Sequence, residues 1–162
     1  MSIDRIPLPS TDGQLWLCGK RDVAPDPEAA MAVAGDASTV VCLNQVGELE
    51  HTYPDYVRWL RDHRARQALW FPLRDFRAES GDATIPFLQM IVDRLEAGES
   101  VLMHCAMGQG RAGTMAICLL IMLGATQEEA VRTVAAHRVF AGPQDSSQWA
   151  LVEDVARSVA SG

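Results

Sequence analysis

Hydrophobic positions along this chain change rhythm repeatedly, and each change marks an element. Residues 14–19 (QLWLCG) read as a short apolar strand. Residues 26–35 (DPEAAMAVAG) read as a helix, with Pro27 suited to its first turn and Gly35 to its end. The β-branched run STVVCLN at 38–44 is a buried strand. At 53–66 the pattern becomes amphipathic and helical, with Tyr56, Val57 and Leu60 on one side, and 67–73 (QALWFPL) is a third strand stopped by Pro72. After a mixed-charge loop at 74–82, Phe87, Ile91 and Leu95 recur at helical spacing in a helix over 84–98. A fourth strand, 100–105 (SVLMHC), precedes a helix over 111–123 that is apolar on every side. Thr126 and Glu129 have the spacing of a capping box and open a helix to about residue 138, and a last helix covers 145–159.

Strands that alternate with helices predict an α/β fold. The expected form is a mainly parallel central sheet of about four to five strands, flanked by helices on both faces. Such sheets bind ligands at the carboxyl ends of their strands. With 162 residues and no linker or repeat, the whole chain, 1–162, is expected to be one domain. Its net charge of −7 argues against binding to nucleic acid or to an anionic membrane. The N-terminal residues carry no leader pattern, and the apolar run 115–123 is less than half of the ~20 residues a membrane span needs. A reducing, cytoplasmic setting is therefore expected, with the four cysteines (18, 42, 105 and 118) as free thiols and no zinc spacing among them.

Candidate chemistry is concentrated between the fourth strand and the apolar helix. Gly108, Gly110 and Gly113 allow a sharp turn in which successive backbone N–H groups form a concave anion cradle. The helix that follows turns its positive end toward the same point. The loop residues Ala106, Met107, Gly108, Gln109, Gly110 and Arg111 are thus predicted to bind phosphate. Arg111 adds a planar fork that matches two phosphoryl oxygens. A cysteine in such surroundings ionises readily, which makes Cys105 the predicted nucleophile. Together these point to phosphoryl transfer to sulfur followed by hydrolysis.

The string HCAMGQGR (104–111) resembles the His-Cys-(any five)-Arg signature of the cysteine-dependent protein tyrosine and dual-specificity phosphatases. LWLCG and STVVCLN resemble the family's early strands. The resemblance implies a protein tyrosine phosphatase-like fold of the dual-specificity type, a phosphocysteine intermediate, and no cofactor or metal. It also implies a general acid, which protonates the leaving oxygen. FPLRDF (71–76) resembles the segment that supplies it, which makes Asp75 the candidate and Asp82 the runner-up. PQDSSQWALVEDV (143–155) resembles the segment whose glutamine positions the hydrolytic water; the match falls on Gln148, with Gln144 competing. His104 corresponds to the histidine that orients the loop and helps keep the thiol ionised. One position departs from the family: Ala112 stands where a serine or threonine usually follows the arginine, and Thr114 is too far round the helix to replace it. Slow breakdown of the phosphocysteine is the expected consequence.

Two other readings stay open. The glycines at 108, 110 and 113 fit the dinucleotide fingerprint G-x-G-x-x-G, with Glu128 downstream, but a helix follows where that fold needs a strand, and His104 and Cys105 would have no role. Alternatively the domain recognises phosphate without turning it over, a reading that Ala112 favours. The expected partners are a phosphorylated protein or a small phosphomonoester. Phosphotyrosine is preferred, with phosphoserine and phosphothreonine as further options, because the short chain resembles the dual-specificity group. None of the five residues between Cys105 and Arg111 is basic, which lowers the case for inositol polyphosphates.

Overall fold

The computed structural model describes residues 2–162. Five strands form one sheet: β1 (Asp4–Ile6), β2 (Gln14–Gly19), β3 (Thr39–Cys42), β4 (Ala68–Trp70) and β5 (Ser100–Cys105). Their order is β1-β2-β5-β3-β4, parallel throughout except for the antiparallel edge pair β1–β2. β5 is central, flanked by one strand that precedes it from each half of the sheet. Its carboxyl end is therefore the switch point at which such sheets take ligands.

Alternation along the strands sorts two cores. Leu15, Leu17, Val41, Val101, Met103 and Cys105 face one side, and Cys18, Val40, Cys42 and Leu102 face the other. The first side is covered by α4 (Gly81–Glu96), α5 (Gly110–Met122), α6 (Gln127–His137) and α7 (Ser146–Ser161). The second is covered by α1 (Lys20–Val23), α2 (Pro27–Val33) and α3 (Pro54–Asp62). α5 is buried from Gly110 through Ile121, as its unbroken apolar sequence predicts. Each large side chain it withdraws from water contributes about 1.5–3 kcal/mol before entropy is counted. That burial anchors the segment on which the site is built.

Several element boundaries differ from the pattern-based expectation. β1 and α1 are additional; each is too short to establish a period. α4 begins at Gly81 instead of 84 because Ser80 caps it, accepting a hydrogen bond from Ala83 N–H. Pro86 then falls inside the helix, at an exposed position. α3 stops at Asp62 instead of 66, and the chain turns back through Ala65 at φ 65° into β4. The strands expected over 38–44 and 67–73 keep only their centres.

Candidate active site

β5 ends on Cys105, which is 3% exposed, and α5 begins at Gly110. The turn between them wraps a cavity of about 100 Å³ lined by Cys105, Ala106, Met107, Gln109, Gly110 and Arg111. Asp75, Phe76 and Gln144 complete the wall. Gly108 is left out of the lining. It takes φ 72°, and a Cβ there would lie 2.4 Å from the Cys18 carbonyl oxygen, so only glycine fits the bend.

The turn is held from behind by Arg138, 8% exposed at the end of α6. Its Nε donates to the Gly108 carbonyl and its Nη2 to that of Met107, each at 2.7 Å, while Nη1 reaches Asp4 at 2.7 Å. The Ala106 carbonyl accepts from Lys20 N–H at 3.1 Å. In a trans peptide the N–H points opposite to the C=O. Three carbonyls pulled outward therefore turn the N–H groups of Met107, Gly108 and Gln109 inward. Among the described residues, no protein acceptor takes the backbone N–H of any residue from 106 through 111. α5 also lacks a side-chain cap, whereas Asp26, Ser80, Thr126 and Asp145 cap α2, α4, α6 and α7. Its positive end is open to the cavity.

Arg111 is 1% exposed. Glu48, in a 3-10 turn at Val46–Glu48, grips it with both oxygens: Nη1 and Nη2 each donate at 2.8 Å. Nη1 also donates to the Leu73 carbonyl at 2.9 Å, and Nη2 lies 3.4 Å from Asp75 Oδ1. Its Nε is buried without a partner. Burial alone would raise the Glu48 carboxyl, but the Arg111 guanidinium, Gln45 N–H and Asn44 outweigh it and hold it below the usual carboxylate range. Glu48 is a site residue the sequence did not disclose. NQVGELE reads as an ordinary polar turn, and its partner lies far along the chain.

Asp75 is half exposed at the cavity mouth, on a loop whose next residue, Phe76, takes φ 62°. Its charged neighbour is Arg111, not Arg74 or Arg77. The loop is tied to the start of α7: Ala78 N–H donates to Ser147 Oγ at 3.0 Å, and Arg77 pairs with Asp145 at 3.4 Å. Asp82 lies elsewhere, exposed in the first turn of α4 and in a groove with Asp154 and Arg157. The two glutamines trade the places expected of them. Gln148 is fully buried, accepts from Gln144 N–H at 2.6 Å, and does not line the cavity. Gln144 does line it, with its side chain over Gly110. This approach depends on Gly113, where a Cβ would come within 2.3 Å of Gly142 N.

His104 points to the opposite face of the sheet. It meets the Tyr56 hydroxyl at 2.6 Å and the Cys105 carbonyl at 3.3 Å. Burial pushes its pKa down to about 4; the Cys105 carbonyl opposes this and the Arg111 charge adds to it. The ring is neutral at pH 7, so its contribution to the turn is hydrogen bonding, not the positive charge that would hold a thiolate. Burial also pushes the thiols of Cys18, Cys42 and Cys118 up, the latter two to about 12, and they stay protonated. Ala112 is fully buried, and the Thr114 hydroxyl is used on the Gly110 carbonyl at 2.6 Å. Among the described residues, none that lines the cavity carries a hydroxyl to replace the one missing at 112.

The dinucleotide reading does not survive this geometry. α5 is followed by α6 and α7 and no further strand, and Glu128 pairs with Arg132 on the surface of α6. A cavity of about 100 Å³ is small beside the ~300–1,000 Å³ of ligand pockets in general.

Comparison with known proteins agrees with the architecture. A sequence model described as Swiss Army Knife protein, DSP-PTPase phosphatase domain (PTP-SAK), matches residues 17–159. No curated protein matches the chain. Among solved structures, the active form of Tk-PTP is 25% identical, with 92% of this chain and 97% of that one aligned at a TM-score of 0.67. Kinase associated phosphatase, with its catalytic-site cysteine changed to serine, is 18% identical over 100% of this chain and 97% of that one, at 0.76. PTPMT1 in complex with PI(5)P is 15% identical over 91% and 92%, at 0.69. The last two bear on fold alone.

Proposed function

The chain belongs to the DSP-PTPase phosphatase domain family of Swiss Army Knife proteins, and from that premise we propose that it hydrolyses phosphomonoesters, with phosphoproteins as its main substrates, through a phosphocysteine on Cys105. The observation that carries this reading is the Arg111 guanidinium. It is buried and fixed by Glu48, yet its Nε has no protein partner beside a cavity floored by Cys105 and rimmed with free N–H groups. A buried donor without an acceptor costs about 1–3 kcal/mol. An anionic ligand would satisfy it.

In the first step the Cys105 thiolate attacks phosphorus and forms the S–P bond as the ester P–O bond breaks. Asp75 delivers a proton to the departing oxygen. The turn's N–H groups and Arg111 stabilise the charge on the three equatorial oxygens, where preorganised donors are most effective. In the second step water attacks phosphorus, Asp75 takes its proton, Gln144 orients it, and the S–P bond breaks to return the thiolate. The position of Gln144 in the cavity wall supports giving it this task in place of Gln148. With no hydroxyl at 112 to donate a hydrogen bond to the leaving thiolate, the second step limits turnover.

Phosphotyrosine suits the apolar rim offered by Met107 and Phe76, which are 63% and 56% exposed. Phosphoserine and phosphothreonine suit the shallow setting. The buried Ala112 also supports a second reading, a phosphate-recognition domain that turns over little. One experiment separates these: p-nitrophenyl phosphate and a phosphopeptide panel assayed with wild type, Cys105→Ser and Asp75→Ala. Hydrolysis by wild type that is lost in Cys105→Ser supports the mechanism, and a burst of product followed by slow release supports the Ala112 argument. Asp75→Ala is expected to cost roughly 10²–10⁴ on peptides and far less on p-nitrophenyl phosphate, whose leaving group needs no proton. Unchanged turnover in Cys105→Ser overturns the mechanism. Tight phosphopeptide binding without any turnover by wild type favours the recognition domain.

A further inference from the structure

A second hollow, of about 460 Å³, is lined by Gln45, Val46, Arg61, Arg64, Trp70 and Pro72. It lies where α3 ends, where β4 leaves the sheet and where the 3-10 turn begins. Its walls continue into the clamp on Arg111. Glu48, in the same turn as Val46, grips the guanidinium, and Leu73, next after Pro72, gives it a carbonyl. Asp75 follows on the same stretch. The hollow runs along the outer edge of β4: Gln45, Val46 and Pro72 lie toward the carboxyl end, beside the Cys105 cavity, and Arg61 and Arg64 lie toward the amino end, where Arg64 bridges to Ala68.

The charge in this hollow stands out on a chain of net −7. Neighbouring arginines are occupied: Arg58 pairs with Asp55, and Arg66 donates to the Asp62 carbonyl. Arg61 and Arg64 are exposed and, among the described residues, pair with no carboxylate or carbonyl. Between them and the 3-10 turn the apolar wall is rigid. Trp70 is half-buried and its indole N–H is fixed to the Asn44 carbonyl at 2.7 Å, while Pro72 has a locked φ. A wall already ordered loses little entropy when something lies against it.

We infer that this hollow holds an acidic stretch of the phosphoprotein substrate that flanks the phosphorylated residue seated over Cys105. The inference rests on the phosphatase reading and adds what the substrate looks like beyond its phosphate. Carboxylates of the stretch meet the two free guanidiniums, a planar match of donors to acceptors, and its aliphatic carbons lie on Trp70 and Pro72. An extended chain advances ~3.3–3.6 Å per residue, so the spacing between phosphate and acidic residues is read directly from the peptide position that binds best. The loop at 106–110 has no basic residue, so sequence preference is set beside the phosphate site and not within it.

The test is a set of phosphotyrosine peptides that differ only in carrying aspartate, asparagine or lysine at positions a few residues before or after the phosphotyrosine. kcat/KM is read by phosphate release at low and high salt, with p-nitrophenyl phosphate as the control. Acidic peptides are expected to exceed neutral ones about three- to tenfold, with the gap narrowing as salt rises. The double variant Arg61→Glu, Arg64→Glu is expected to erase or invert that order while leaving p-nitrophenyl phosphate turnover and Tm unchanged. An equal preference in the double variant, or none in wild type, overturns the inference while the phosphatase reading stands. So does selective loss, in the double variant, of activity on PI(5)P in vesicles, which would assign the hollow to a lipid headgroup. If wild type releases phosphate from nothing, the phosphatase reading fails by itself. Fluorescence anisotropy of the same peptides on Cys105→Ser, with and without the two arginine changes, then still decides the hollow.

Discussion

Two arginines stand on opposite sides of the same turn. Arg138, behind it, has every nitrogen hydrogen-bonded: Nε to Gly108, Nη2 to Met107, and Nη1 to Asp4 together with Ser2. Arg111, in front, is gripped through both terminal nitrogens by Glu48, and its Nε is left empty. The residue type is the same and the burial is similar. What differs is saturation. A guanidinium whose donors are all used is a brace, and one left short inside a cavity of free N–H groups is a receptor. The brace also creates the receptor's surroundings, because the carbonyls it draws outward are the reason the N–H groups face inward.

The contrast is broken most sharply by Arg111→Lys. Losing the planar fork is expected to lower kcat/KM by roughly 10²–10³, the cost of one misplaced donor to a transition-state oxyanion. The check is steady-state kinetics on p-nitrophenyl phosphate. Arg138→Met should instead strike stability: removing one member of a buried, multiply bonded charge costs about 3–5 kcal/mol. Urea unfolding measures this, and vanadate affinity should fall with it while Arg138→Lys recovers part of both. If Arg138→Met left stability and vanadate affinity intact, the turn would not depend on its brace.

A weaker effect concerns the histidine beneath the turn. The folded-state pKa of His104 is about 4, below the ~6.5 of an unfolded chain. Between these values the unfolded state binds more protons, so stability is full above about pH 6.5 and falls as pH drops toward 4. By pH 5 the loss should reach about 2 kcal/mol at 1.36 kcal/mol per unit. Urea unfolding from pH 7 to 5 reads it, and His104→Gln should flatten that limb. The smallest effect belongs to the front of the turn. Ala112→Ser should speed phosphocysteine breakdown roughly five- to tenfold, the worth of one hydrogen bond, seen as a smaller burst relative to the steady rate.

What the sequence disclosed follows how far each feature reaches. Cys105, Arg111 and the glycines between them are contiguous, and their strand and helix have unmistakable rhythms, so the cavity's floor and its cradle could be read together. Asp75 could be singled out because it belongs to a local segment next to a strand, and it lies at the cavity mouth beside Arg111. Glu48 and Arg138 could not, since each matters through partners many residues away: Glu48 meets Arg111, and Arg138 meets Gly108 and Asp4. In one dimension Arg138 is simply the last residue of a helix. Which of Gln144 and Gln148 lines the cavity depends on how the loop through Gly142 packs on Gly113, which no spacing rule records. The start of α4 is hidden for a similar reason: Gly81 and Asp82 carry no apolar rhythm, and it is the Ser80 cap that brings them into the helix.

The edge strand β1 has a larger part than its three residues suggest. Through Asp4 it anchors the guanidinium that shapes the turn after β5, yet it lies outside the stretch matched by the family, 17–159. Trimming the protein to that recognisable core would therefore detach a guy-rope, leaving Cys105 and Arg111 in place but slackening the ring of amides between them.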